Sequence, residues 1–182
     1  MPLILLDRDG VLNEDRADFV KTPGELVLIP GAAASVARLN RHGFRVAVCT
    51  NQSCIGRGII DAARLEQIHG HLRQLLAREG ARIDEFFVCP HAPHAGCDCR
   101  KPLAGLLRAA IRRFGASAGE TAMIGDGLRD LQAAAAAGCA RHLVRTGHGA
   151  RTQAEGIPHD LLPVAVHDHL AAAVDAILGR PA

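Results

Sequence analysis

Tryptophan and tyrosine are absent from this 182-residue chain and only five phenylalanines occur. Without aromatic platforms on which bases stack, a single-stranded nucleic-acid partner is disfavoured. Charge of one sign is also lacking: 21 Lys and Arg against 19 Asp and Glu leave a formal net charge of +2. That balance creates no field able to hold a polyanion or an anionic membrane. No apolar run approaches the ~20 residues that span a bilayer, and the N-terminus lacks the pattern of a secretory signal. The expected location is the cytoplasm, with neither nucleic acid nor membrane as partner. Cysteine is sparse outside one stretch, where Cys89, Cys97 and Cys99 crowd beside histidines. Such clustering argues for metal ligation in a reducing compartment rather than for disulfides.

What is present is an alternation of short apolar runs and helical spacings. Leu3 to Leu6, Phe44 to Cys49, Phe86 to Val88, Thr121 to Ile124 and His142 to Val144 have the length of buried parallel strands. Between them, Ala32 to Arg41, the series Leu65, Ile68, Leu72, Leu75 and Leu76, Leu106 to Phe114, and Leu128 to Ala137 repeat at helical intervals. Asp61 can cap the helix entering at Ala62, and Pro102 can open the one carrying Leu106. The pattern predicts an α/β fold, a doubly wound and mainly parallel sheet with helices on both faces. Residues 1–182 read as one domain with a small flap at about 11–30 and a metal loop at 89–99. Val164 to Leu178 should dock as a last strand or helix.

Ligands of open α/β sheets bind beyond the carboxyl ends of the strands, and three of those ends carry phosphoryl-transfer chemistry. Asp7-Arg8-Asp9-Gly10 places two carboxylates two residues apart on a turn. One can attack while the other exchanges a proton. Thr50, Asn51, Gln52 and Ser53 offer hydroxyl, amide and N–H groups to phosphoryl oxygens at a helix-entry loop. Arg100 and Lys101, after the cysteine stretch, can neutralise charge on the transferred group. Asp126, in Gly125-Asp126-Gly127, and Asp130 join Asp7 as hard oxygen donors suited to magnesium. Any one of these elements alone is ordinary turn or cap chemistry; four in order along one sheet are not.

Cys89, His91, Cys97 and Cys99 supply three thiolates and an imidazole, the set of a closed tetrahedral zinc site that would stiffen the loop delivering Arg100 and Lys101. His94 is a rival ligand. Cys49, Cys54 and Cys139, and His42, His69, His71, His142 and His148, are assigned to packing or surface.

Asp7-x-Asp9-Gly10, Thr50-Asn51, Lys101 and Gly125-Asp126-x-x-x-Asp130 together resemble the haloacid dehalogenase superfamily of phosphatases. The resemblance implies Asp7 as nucleophile, Asp9 as general acid and base, Thr50 as phosphate ligand and Lys101 as charge stabiliser. Magnesium would be held by Asp7, the Asp9 main-chain carbonyl and Asp126, with Asp130 in support. Within the superfamily, the stretch from Asp7 to Asn13, the run from Thr50 to Gly58 and the Cys-His loop are similar to a subgroup with no large cap domain. Its members act on heptose bisphosphates or on histidinol phosphate. Arg57 and Arg100 favour the former, because a second phosphate outside the reacting centre needs cations. The expected partner is therefore a small phosphorylated sugar, acted on by a monomer. Cys54 stands where the subgroup has glycine, and the stretch between His91 and Cys97 is short.

Overall fold

A computed structural model describes residues 2–179. Six strands form one parallel sheet: β1 (Leu3–Leu6), β2 (Arg45–Asn51), β3 (Glu85–Cys89), β4 (Thr121–Gly125), β5 (Ala140–Val144) and β6 (Ala165–His167). Their spatial order is β3-β2-β1-β4-β5-β6. The helices between and after them are α1 (Ala32–Arg41), α2 (Ser53–Gly56), α3 (Ala62–Ala77), α4 (Gly105–Phe114), α5 (Leu128–Ala137), α6 (Gly149–Glu155) and α7 (Leu170–Ile177).

Because every residue of β1 is apolar and side chains alternate along a strand, β1 serves two cores at once. Ile4 and Leu6 join Val46, Val48 and Ile124 under α1, α3 and α7, where Val36, Leu39, Ile68, Leu72, Leu76 and Val174 are buried. Leu3 and Leu5 point to the opposite face, with Ala47, Cys49 and Met123 beneath Leu106, Leu107 and Ala110 of α4 and Ala133 and Ala134 of α5. Each large aliphatic side chain so covered contributes about 1.5–3 kcal/mol.

The expected α/β architecture is the one found. α1 and α5 occupy the expected spans, and the stretch from Val164 to Leu178 holds both a strand and a helix, β6 and α7. Asp61 caps α3, its Oδ1 accepting the Arg64 N–H at 2.7 Å. Pro102 does not open a helix: α4 begins at Gly105. The cause is packing, since a Cβ on Gly105 would lie 2.5 Å from the Asp98 carbonyl oxygen and 2.7 Å from the Cys99 Cα. The cysteine loop therefore rests on the helix's first residue, and residues 100–103 close a turn through Leu103 N–H to the Arg100 carbonyl at 2.8 Å.

Strand order reverses at β1, which has β2 on one side and β4 on the other, and a crevice opens there beyond the carboxyl ends. Residues 11–30 lie beside it with little regular structure beyond a short 3-10 turn at Pro23–Glu25 and the bridge of Asn13 to Leu28. Val11, Leu12, Val20 and Leu26 anchor the segment in the core, while Asp15 to Ala17 and Phe19 face the crevice.

Candidate active site

Asp7 follows the last residue of β1, and its N–H donates to the Ile124 carbonyl of β4 at 3.0 Å, carrying the sheet register into the site. Its Oδ1 accepts the Arg8 N–H at 2.7 Å, and its Oδ2 meets the Lys101 ammonium at 3.0 Å. Lys101 also lies 2.6 Å from Asp130 Oδ1, while Asp130 Oδ2 accepts the Gly127 N–H at 2.9 Å. Asp130 thus closes the first turn of α5 and holds the lysine with the same carboxylate. Burial lowers the affinity of Lys101 for its proton, but the charges of Asp130 and Asp7 outweigh it and push the ammonium above the usual lysine range.

Asp126, one residue past β4, accepts the His148 N–H at 2.8 Å through Oδ2. Its carboxylate is enclosed by Gly10 and Gly147, where an added Cβ would stand 2.1 Å and 2.2 Å from Asp126 Oδ2. Both glycines also have positive φ, +81° and +55°, so the loops after β1 and β5 need glycine twice over. Burial, then the charges of Asp7 and Asp130, raises Asp126 to about 8. Burial, with Asp130 and Asp9 nearby and Lys101 opposing, raises Asp7 to about 6. Carboxylate oxygens of Asp7, Asp126 and Asp130 all lie within 4.8 Å of one another. One lysine does not neutralise three buried carboxylates, and the all-oxygen donor set fits a hard divalent cation such as magnesium.

Asp9 is held differently. Arg8 Nη2 donates to both its oxygens at 2.8 and 3.0 Å, and Arg8 Nε, Asn13 Nδ2 and Gln52 Nε2 donate at 3.2, 2.9 and 2.8 Å. Burial works against the charged form, yet Arg8 and the hydrogen bonds from Asn13 and Gln52 prevail and lower the Asp9 carboxyl below its usual range. Gln52 also donates to Thr50 Oγ1 at 2.9 Å. Asn51 clasps the Lys101 main chain, accepting its N–H at 3.1 Å and donating to its carbonyl at 3.0 Å.

A cleft of about 250 Å³ opens over these groups, with Asp7, Asp9, Asn51, Gln52, Ser53, Arg100 and Asp126 among its walls. Thr50 and Lys101 are buried beneath it. Arg57 is exposed and off the lining, its guanidinium 6.0 Å from the ring centroid of Phe19, which does line the cleft. Sequence reasoning passed over Arg8, Arg16, Arg129, Asp15 and His148, all of which face the cleft. His148 Nε2 pairs with Asp15 Oδ2 at 2.7 Å, tying the loop after β5 to the 11–30 segment. Reading the end of β5 as the other strand ends were read would have found it.

Beside β3, Cys89 Sγ lies 3.6 Å from His91 Nδ1 and 3.7 Å from Cys97 Sγ, and Cys99 Sγ lies 3.3 Å from His91 Nδ1. These three spacings are of the size that tetrahedral donors about 2.0–2.3 Å from a shared ion would have, and all four donor atoms fall within 4.8 Å of one another. His94 is not in the cluster.

The family described as haloacid dehalogenase-like hydrolase matches residues 1–138. The D-glycero-beta-D-manno-heptose-1,7-bisphosphate 7-phosphatase of Bordetella bronchiseptica is 48% identical over 156 residues, 86% of this chain and 87% of that one. The protein of the same name from Pseudomonas aeruginosa is 44% identical over 176 residues, 97% of each chain. The crystal structure of D,D-heptose 1,7-bisphosphate phosphatase from B. bronchiseptica, complexed with magnesium and phosphate, superposes with a TM-score of 0.93 at 45% identity. It covers 98% of this chain and 99% of that one.

Proposed function

The chain belongs to the haloacid dehalogenase-like hydrolases and is a phosphatase, and from that premise we propose that it removes the C7 phosphate of D-glycero-D-manno-heptose 1,7-bisphosphate. The products are the 1-phosphate and inorganic phosphate, and the role is in making the heptose precursor of lipopolysaccharide. The relatives at 48% and 44% identity support the substrate, and their names favour its β anomer.

The observation that carries the chemistry is the contact of Asp7 with Lys101 at 3.0 Å at the floor of a cleft that Asp9 also lines. An Asp7 carboxylate oxygen attacks phosphorus; as that bond forms, the bond from phosphorus to the C7 oxygen breaks. Asp9, held ionised in the free site by Arg8, Asn13 and Gln52, takes up a proton from solvent as the anionic substrate enters and gives it to the departing oxygen. Water then attacks the phosphorus of the aspartyl phosphate, Asp9 takes a proton from it, and phosphate leaves with Asp7 regenerated. Lys101 stays charged beside Asp7 throughout and balances negative charge on the phosphoryl group. Thr50, Asn51, Gln52 and Ser53 line or support the phosphoryl pocket. Asp7, Asp126 and the Asp9 main-chain carbonyl would hold magnesium, which supplies further charge neutralisation when bound. Arg100 on the cleft wall suits the second phosphate, whereas Arg57, off the lining, would have to swing past Phe19 to reach it.

Cys89, His91, Cys97 and Cys99 would hold structural zinc, whose four protein ligands leave no position for substrate. A reducing cytoplasm keeps those thiols available. The acting unit in this reading is the monomer. Phosphate release from heptose 1,7-bisphosphate and from histidinol phosphate tests the assignment: the heptose ester should be hydrolysed far faster, and the reverse order would overturn it. Asp7→Asn should abolish turnover; full activity in that variant would refute the covalent route.

A further inference from the structure

Arg8 is 1% exposed and among the largest fully buried side chains. A guanidinium keeps its charge and has only donors to offer, so burial commits each arm to an acceptor. Nη2 and Nε are committed to Asp9. Nη1 reaches across 61 positions of sequence to His69 Nε2 at 3.2 Å. Since arginine can only donate, that ring nitrogen accepts, which assigns His69 as the neutral tautomer protonated on Nδ1. Burial, with the positive charges of Arg8 and Arg73, drives His69 down to about 3, so the acceptor persists at neutral pH. The ring is aimed as well as neutral: it stacks on Phe86 of β3 at 4.2 Å and 19°, and Arg73 lies 4.6 Å from the Phe86 centroid.

We propose that His69 is a positioning residue for the reaction: by accepting from Arg8 Nη1 it aims the guanidinium fork at Asp9, and so fixes the carboxyl group that exchanges protons with the leaving oxygen and with water. The proposal rests on the role given to Asp9 above. Without the acceptor, Nη1 is an orphaned buried donor that turns toward another oxygen. The fork turns with it, and Asp9 loses its orientation.

The effect should depend on the leaving group. A sugar alkoxide needs the proton as it departs; p-nitrophenolate does not. In a route through aspartyl phosphate, kcat/KM reports the steps up to departure of that group. His69→Phe keeps the stack on Phe86 and removes the acceptor. It should lower kcat/KM for heptose 1,7-bisphosphate by about 10- to 100-fold, part of what a general acid contributes. For p-nitrophenyl phosphate the loss should stay within about threefold, and inhibition by inorganic phosphate should be unchanged. His69→Gln, which retains an acceptor, should recover part of the sugar-phosphate rate.

Equal losses on both esters, or none, would overturn the proposal, since a merely structural histidine cannot sense the leaving group. If His69→Phe fails to fold by thermal melting, Arg8→Lys decides the matter through the same ratio. It keeps the charge without the fork, and a selective loss on the sugar ester supports the proposal while an equal loss removes it. Wild-type enzyme that hydrolyses neither ester would instead remove the reading of Asp9, and this inference with it.

Discussion

At the scale of single residues, the site consists of charges held by the hydrogen bonds of neighbouring amides and of Arg8. Asn51 is the clearest case, since both ends of its amide go to the main chain of Lys101. Asn51→Ala should let the lysine drift from Asp7 and lower kcat by about tenfold, with stability falling by about 1–2 kcal/mol; steady-state kinetics and denaturant titration check both. Gly10 is constrained by the Asp126 carboxylate rather than by the turn alone. Gly10→Ala should displace Asp126 and weaken the apparent magnesium affinity by about 10- to 100-fold, read from the rate as magnesium is varied. A normal magnesium dependence in that variant would contradict the placement of Asp126 at the ion.

At the scale of elements, the Cys-His loop and α4 form one unit. Gly105 starts α4 against the backbone of Asp98 and Cys99, and the same loop delivers Arg100 to the cleft and Lys101 to Asp7. An ion in the cluster would stiffen that delivery. Cys97→Ser should therefore lower thermal stability and activity together, and elemental analysis of protein prepared without chelator should find zinc. Protein that is zinc-free yet fully stable and active would remove the proposed site. Sequence spacing located this loop but misjudged the helix after it: Pro102 carries a legitimate helix-start signal, and the close approach of the loop to Gly105 overrides it.

For the whole molecule, stability and pH are coupled through half-buried histidines outside the cleft lining. His142 of β5 and His167 of β6 stack at 5.2 Å with their ring nitrogens 3.0 Å apart. Burial, then the neighbouring His167, drives His142 down to about 4. The unfolded chain, with a histidine of ordinary affinity, takes up a proton between about pH 6.5 and 4 that the folded chain refuses. Stability is thus fully present above that window and is lost as pH falls through it. Tm measured from pH 7 to 4.5 should drop less steeply in His142→Asn than in wild type, and identical slopes would exclude His142 as a contributor.

Parallel strands buried on both faces are continuous apolar runs, and the residues that follow them must turn toward the crevice. The sequence alone therefore determined the α/β class, the strand positions, and the stations of Asp7, Asp9, Lys101 and Asp126. These are local properties, legible within a few residues of a run or, for Lys101, just after the cysteine stretch. Tertiary structure decided what those groups are tied to. Arg8 carries no signal of its own in sequence and is buried against Asp9 and His69; Asn51 looks like a phosphate ligand and clasps Lys101; His148 becomes part of the site because β5 packs beside β4. Apart from Asp9, each partner lies more than twenty residues away, and which distant side chains meet depends on how the elements pack, a property no local pattern carries.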